Sequence, residues 1–223
     1  MKELEKNQFL EFLKEINPEK IIYISPEDFP DFTENLSERI QEVAFKRGKS
    51  ETGAIILDES FLVIPPFPVE KTFEGDSTYL FDLLKRNYTL AVILLRLGEY
   101  SLGVFDGDDL VVHKTGTQFI SAKIRAGGQS AARFSRVREG QINDFFKKVC
   151  SQVKEKILPW KDKIDFVFFG GDSKVVKSFI NFCEHMKDLE SKIMSRVLNA
   201  RHMKLETLKN ILNEVWKFRI YET

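Results

Sequence analysis

Between Ile164 and Phe169 the chain is apolar at every position except Asp165. A strand built from such a run has no polar face to turn toward water, so it must be covered on both sides. Helical patterns flank it. Upstream, Phe134, Val137, Ile142, Phe145, Val149, Val153 and Ile157 recur at steps of three to five within Ala131–Leu158, a single apolar stripe along the longest helix, which Pro159 ends. Downstream, Gly170-Gly171-Asp172 turns directly into a helix from Ser173 to about Met186. Buried strands interleaved with helices specify an α/β class, a mixed β-sheet flanked by helices.

Lys20–Ser25, Ala54–Leu57, Phe61–Ile64 and Lys192–Leu198 read as further strands. Tyr88–Leu97, Tyr100–Phe105 and Leu110–Lys114 form a meander turned at Gly98-Glu99 and Asp106-Gly107-Asp108. Helices are expected over residues 1–17, over Asp31–Lys46, from a cap at Asp76 or Ser77 to about Arg86, and over Leu205–Phe218. Thr115–Ser130 has little apolar periodicity and reads as a long loop. No linker rich in Pro, Gly or Ser divides the chain. Residues 1–85 are an N-terminal α/β portion packed on or continuous with the same sheet, and residues 86–223 are the remainder; one domain over 1–223 is equally consistent with the pattern.

Charge narrows the function classes. The 34 basic and 34 acidic residues cancel, which argues against a globally basic coat. The balance is uneven, however. Lys123–Lys161 holds ten basic residues against Glu139, Asp144 and Glu155, so an electropositive segment sits on an otherwise acidic body. The longest purely apolar run, Leu90–Leu95, is far short of the roughly 20 residues that span a bilayer, and the first residues lack a secretory signal. Cys150 and Cys183 are the only cysteines; a disulfide framework is not expected and a reducing cytoplasm is the default. Nothing in the pattern demands more than a monomer.

Ordinary catalytic constellations are scarce. His113, His185 and His202 lack metal-ligand spacing, so neither a metal nor another cofactor is expected. Gly170-Gly171-Asp172-Ser173-Lys174 lacks the glycine spacing of a phosphate loop and reads as a plain strand-to-helix turn. Gly127-Gly128-Gln129 stands apart. With 12 glycines and six glutamines, such a tripeptide arises by chance with a probability of roughly 2%. It lies on the long loop before the longest helix, with Lys123 and Arg125 before it and Arg133, Arg136 and Arg138 after it. Arg133 and Arg136, three apart, share one helix face and can grip adjacent phosphates.

The segment Ala126-Gly127-Gly128-Gln129-Ser130-Ala131-Ala132-Arg133-Phe134-Ser135-Arg136-Val137-Arg138-Glu139 resembles the peptidyl-tRNA hydrolysis loop and following helix of archaeal and eukaryotic class-1 peptide chain release factors. Lys114-Thr115-Gly116-Thr117 and the strand-Gly-Gly-helix over Phe166–Phe179 are similar in placement, and the likeness covers roughly residues 85–220. It implies a release-factor central-domain fold in which a long Gly-Gly-Gln loop leads into a long helix. A codon-reading Asn-Ile-Lys-Ser loop and a GTPase-docking domain are not seen, so stop-codon reading is not expected. In architecture the chain is most similar to stand-alone Vms-like release factors, which free nascent chains from stalled, split large ribosomal subunits.

The resemblance implies a peptidyl-tRNA ester hydrolase with Gly127, Gly128 and Gln129 as catalytic residues, and with Lys123, Arg125, Arg133, Arg136 and Arg138 as RNA contacts. Its partners would be large-subunit ribosomal RNA, peptidyl-tRNA and a glutamine methyltransferase acting on Gln129. Two glycines allow a backbone approach that any Cβ would block, which frees the Gln129 N–H to donate to the developing oxyanion or the leaving 3′ oxygen. The Gln129 side chain has no useful pKa and acts as a positioner. The alternatives are a non-catalytic ribosome- or tRNA-binding factor and a nuclease acting on the tRNA acceptor end. The intact tripeptide disfavours the first, and the lack of a visible base or metal cluster disfavours the second.

Overall fold

The computed structural model describes residues 1–122 and 129–223, with side chains from Ala132 onward in the second stretch. In chain order the elements are β1 (Lys2–Leu4), α1 (Lys6–Ile16), β2 (Ile21–Ile24), α2 (Glu38–Arg47), β3 (Ala54–Leu57), β4 (Phe61–Ile64), β5 (Phe73–Gly75) and α3 (Ser77–Lys85). Then come β6 (Thr89–Arg96), β7 (Glu99–Asp106), β8 (Asp109–Thr117), α4 (Gln129–Lys156), β9 (Phe166–Gly171), α5 (Ser173–Phe182), β10 (Ile193–Leu198) and α6 (Leu205–Lys209). The chain ends with α7 (Leu212–Val215) and β11 (Phe218–Glu222). They form two units, Met1–Arg86 with Leu212–Thr223, and Asn87–Ile211. Each unit has its own sheet, so the single sheet expected from the sequence is two.

The first unit is a six-stranded sheet in the order β1-β11-β4-β3-β2-β5. All of its pairings are antiparallel. Ile40 and Ala44 of α2 pack against Ile22, Ile24, Ile56, Leu62 and Ile64 on one face. Elsewhere in the unit the Phe9 ring of α1 stacks on Phe218 at 3.9 Å. Local chemistry sets the helix starts: Glu5 and Gln8 form a reciprocal capping box at α1, and the Asp76 side chain accepts from the Thr78 N–H at 2.8 Å.

In the second unit the order is β10-β9-β6-β7-β8. The β10, β9 and β6 strands run parallel, and β6, β7 and β8 form the antiparallel meander. Phe145, Val149, Val153 and Ile157 of α4 and Val176 and Phe179 of α5 pack on Ala91, Ile93, Leu95, Val167 and Phe169. Leu90, Val92, Leu94 and Phe168 on the opposite face are equally buried, as the unbroken apolar runs require. Gly171, at φ +99°, turns β9 toward α5 where a Cβ would meet the Leu95 carbonyl, and Asp172 caps α5 by accepting from Lys174 and Val175 N–H at 2.9 and 3.1 Å. The glycine pair thus has a structural use. Cys150 on α4 and Cys183 after α5 are joined in a disulfide, Cα atoms 5.5 Å apart, so the cysteines do not support the reducing default drawn from their number.

Three further expectations are corrected. Asp31–Lys46 is not one helix: a 3₁₀ turn over Asp31–Asn35 precedes α2, because Leu36 and Ser37 are extended and the Gln41 amide donates to the Glu34 and Leu36 carbonyls. The β8 strand takes Thr115–Thr117 from the expected loop. Leu205–Phe218 is two short helices followed by β11, whose buried Phe218 and Ile220 alternate with less buried neighbours. That strand pairs with β1 and β4, so the last residues, grouped above with 86–223, fold into the first unit.

Candidate functional site

The site starts with the chain leaving β8. Gly116 lies against the buried Tyr100 ring, where an added Cβ would come within 2.5 Å of it. Burial also pushes the Tyr100 phenol above its ordinary pKa. Beyond the strand a set of hydrogen bonds fastens residues 117–121. Gln118 N–H donates to the Gly98 carbonyl at 2.8 Å. From α4, Lys148 Nζ donates to the Thr117 carbonyl at 3.0 Å and Arg138 Nε to the Ser121 carbonyl at 2.9 Å. Gln141 works in both senses: its Oε1 accepts from Ser121 N–H at 2.9 Å and its carbonyl from Gln118 Nε2 at 3.2 Å. Ile120 packs against the core, whereas Phe119 is 79% exposed.

The chain returns at Gln129, the first residue of α4. Being first, its backbone N–H has no acceptor within the helix, and the aligned peptide dipoles make this end electropositive. No acidic residue stands in the first turn. Arg133 and Arg136 are exposed, and among the described residues neither has an acidic partner within ion-pairing distance. Glu139 instead accepts from Ser135 Oγ at 3.1 Å. The apolar stripe divides here. Phe134 and Val137 are 52% and 50% exposed, and full burial begins at Phe145. At 1.5 Å per residue, Gln129 stands about 24 Å from Phe145, so the helix start reaches well past the packed core.

Of the sequence-derived site residues, Lys123, Arg125, Gly127 and Gly128 lie outside the described residues, as does the side chain of Gln129. Arg133, Arg136 and Arg138 fall on the first turns of α4, and the structure divides their work: Arg138 is half-buried and holds the stem, and the other two point outward. Sequence reasoning missed Gln118, Gln141 and Lys148, whose partners are 23, 20 and 31 residues away. Among the described residues no three His, Cys, Asp or Glu side chains gather as a metal-holding group. What the arrangement offers chemically is a hydrogen-bonded stem, a helix start whose first N–H groups have no acceptor within the helix, and two outward guanidinium groups. These are the elements of anion recognition and oxyanion stabilisation.

The second unit is thus a mixed sheet with a clamped stem that leads into a long basic helix. A family model described as the Actinobacteria/chloroflexi VLRF1 release factor matches residues 88–221, and the chain belongs to that family. It is 33% identical over 138 residues to peptide chain release factor subunit 1 of Archaeoglobus fulgidus, covering 60% of this chain and 34% of that one. Against the same factor of Methanococcoides burtonii it is 30% identical over 172 residues, 67% of this chain and 41% of the relative. The chain therefore spans between a third and about two fifths of these relatives' length. Solved structures similar to it include an archaeal termination factor, aRF1, with 15% identity over 96% of this chain and 73% of that chain at a TM-score of 0.43. Another is the "Vms1 mitochondrial localization core", with 10% identity over 90% of this chain and 100% of that chain at a TM-score of 0.45. Among the described residues no helix is long and apolar enough to cross a membrane.

Proposed function

We propose that this protein is a peptidyl-tRNA ester hydrolase that frees nascent chains on stalled ribosomes or split large subunits, working as a monomer in the cytoplasm. Membership of the VLRF1 release factor family supports the release-factor role. The observation that carries the site is the start of α4, where Gln129 opens an exposed, basic helix whose root is held by the stem.

In this reading Gly127 and Gly128 bring the backbone against the ester at the tRNA 3′ end. Water attacks the ester carbonyl carbon, and the Gln129 N–H donates to the oxyanion or to the 3′ oxygen. The carbon–oxygen bond to the ribose then breaks. The proton of the attacking water passes to the departing 3′ oxygen, leaving a peptide acid and intact tRNA. Lys123, Arg125, Arg133 and Arg136 hold the loop to ribosomal RNA, and Arg138 keeps the stem on the helix. Placement supplies most of the rate, so no general base is needed from this chain. Gln129 is also the residue a glutamine methyltransferase would modify.

The test is release of a labelled nascent chain from purified large subunits carrying peptidyl-tRNA, comparing the protein with Gln129→Ala and Gly128→Ala, each checked for ribosome binding. Expected are release by the unaltered protein with full-length tRNA left behind, and binding without release by the variants. Binding without release by the unaltered protein would turn the reading into occupancy alone. A tRNA shortened at its 3′ end would make the activity nucleolytic.

A further inference from the structure

Two arginines of the first unit stand where the packing pattern calls for apolar side chains. On α2, Ile40 and Ala44 are buried against the sheet, and Arg47 is the next position on that stripe. On β11, an interior strand between β1 and β4, Arg219 lies opposite Glu3 and Ile64. It alternates with the face of Phe218 and Ile220 and so shares its face with Tyr221, which packs on the cluster beneath α2. Both arginines are half-buried, and Nε of each is shut off from solvent with no hydrogen-bond partner.

Carboxylates do not resolve this. Among the described residues neither guanidinium has a carboxylate oxygen within 4.0 Å. Glu3, across from Arg219, lies 3.5 Å from Lys217. Glu51 and Tyr221 are the other ionisable groups near Arg219. Burial first, and the charge of Arg47 next, hold the Arg219 guanidinium below the ordinary arginine range, against the opposing pull of Tyr221, Glu3 and Glu51. Half-buried like charges oppose both desolvation and each other, and an anion between them relieves both.

We propose that Arg47 and Arg219 form an oxyanion site for a phosphate group, filled by a backbone phosphate of RNA. Both side chains are only partly buried, so in this proposal the Nη groups are the donors to the phosphate. A phosphate has oxygens enough to engage two such forks together, whereas one fork satisfies both oxygens of a carboxylate. The choice of RNA as the source rests on the proposed function; the phosphate site itself does not.

The first arm of the test is thermal unfolding of the full chain in inorganic phosphate, against chloride at equal ionic strength. It compares the protein with Arg47→Gln, Arg219→Gln and the double variant. The unaltered protein should gain more Tm with phosphate than the variants, which keep only the general stabilisation by a kosmotropic salt. In chloride each single variant should be at least as stable as the parent, since it removes a repulsion. Variants destabilised equally in both salts would show that the arginines serve packing alone and overturn the site. Arg219→Lys, which keeps the charge without the planar fork, should fold with a reduced phosphate response and covers any failure of glutamine to pack. The second arm is anisotropy with a single-stranded oligoribonucleotide. The double variant should bind about tenfold more weakly, with a salt dependence shallower by about one. Unchanged RNA affinity beside an intact phosphate response would overturn RNA as the source. Neither arm requires peptide release, so failure here is distinct from failure of the hydrolase reading.

Discussion

Replacing Gln141 by leucine probes whether the stem clamp positions the loop proposed to act on the ester. Leucine is a good helix former of similar size, so α4 keeps its propensity and loses one side-chain acceptor. That acceptor is Oε1, 2.9 Å from Ser121 N–H. The bond from Gln118 to the Gln141 backbone carbonyl, at 3.2 Å, survives the change. Stranding a fully buried N–H costs about 1–3 kcal/mol. Ser121 is half-buried, so water reaches it in part and the low end, about 1 kcal/mol, applies. Opening of the stem should then rise about fivefold. Amide exchange measured by NMR should quicken at Ser121 by that factor and stay unchanged at Val149 and Val153, deep in the packed half of α4. Peptide release should slow while RNA affinity holds, because no cation is removed. Faster exchange at Ser121 with an unaltered release rate would refute the idea that the clamp positions the loop.

Three other outcomes follow from the geometry. Gly116→Ala sets a Cβ 2.5 Å from the Tyr100 ring and should destabilise the second unit by about 1–3 kcal/mol, read as a lower Tm. Arg133→Ala with Arg136→Ala should reduce the salt dependence of RNA binding by about two while leaving Tm in place, since neither side chain is buried. The Thr78 hydroxyl and N–H, bonding to the Asp76 carboxylate, hold it below the usual range. Its capping contribution is therefore full above the ordinary aspartate pKa and is lost as pH falls through the depressed folded value. Asp76→Asn should keep the cap and remove that part of the acid-side loss in a pH series of thermal melts.

Much of the framework could be read in the chain because it depends on neighbours in sequence. The apolar run before Gly170 announced a strand buried on both faces, the meander carried its turns, and Asp76 stood where a helix needs a cap. Harder were β1 and β5, three residues each, too short for any periodicity to register. The stripe of α4 reported which side chains share a face but not what covers them, so exposed Phe134 and Val137 looked the same as buried Val149. At the site, composition and local spacing marked the basic helix start. The clamp was invisible, since Gln118 and Gln141 become neighbours only when β8 and α4 are assembled side by side.

The disulfide after α5 bears on how well a distant loop can be aimed. The α4 helix overhangs its supports: Cys150 ties the packed half, the stem holds Arg138 and Gln141, and Gln129 lies about 14 Å beyond Arg138 at 1.5 Å per residue. Over that overhang an angular error of about four degrees at the stem moves the helix start by about 1 Å, a displacement on the scale at which reactions governed by placement lose about two orders of magnitude. A covalent tie behind that support fixes the angle of the packed half, from which the overhang is aimed.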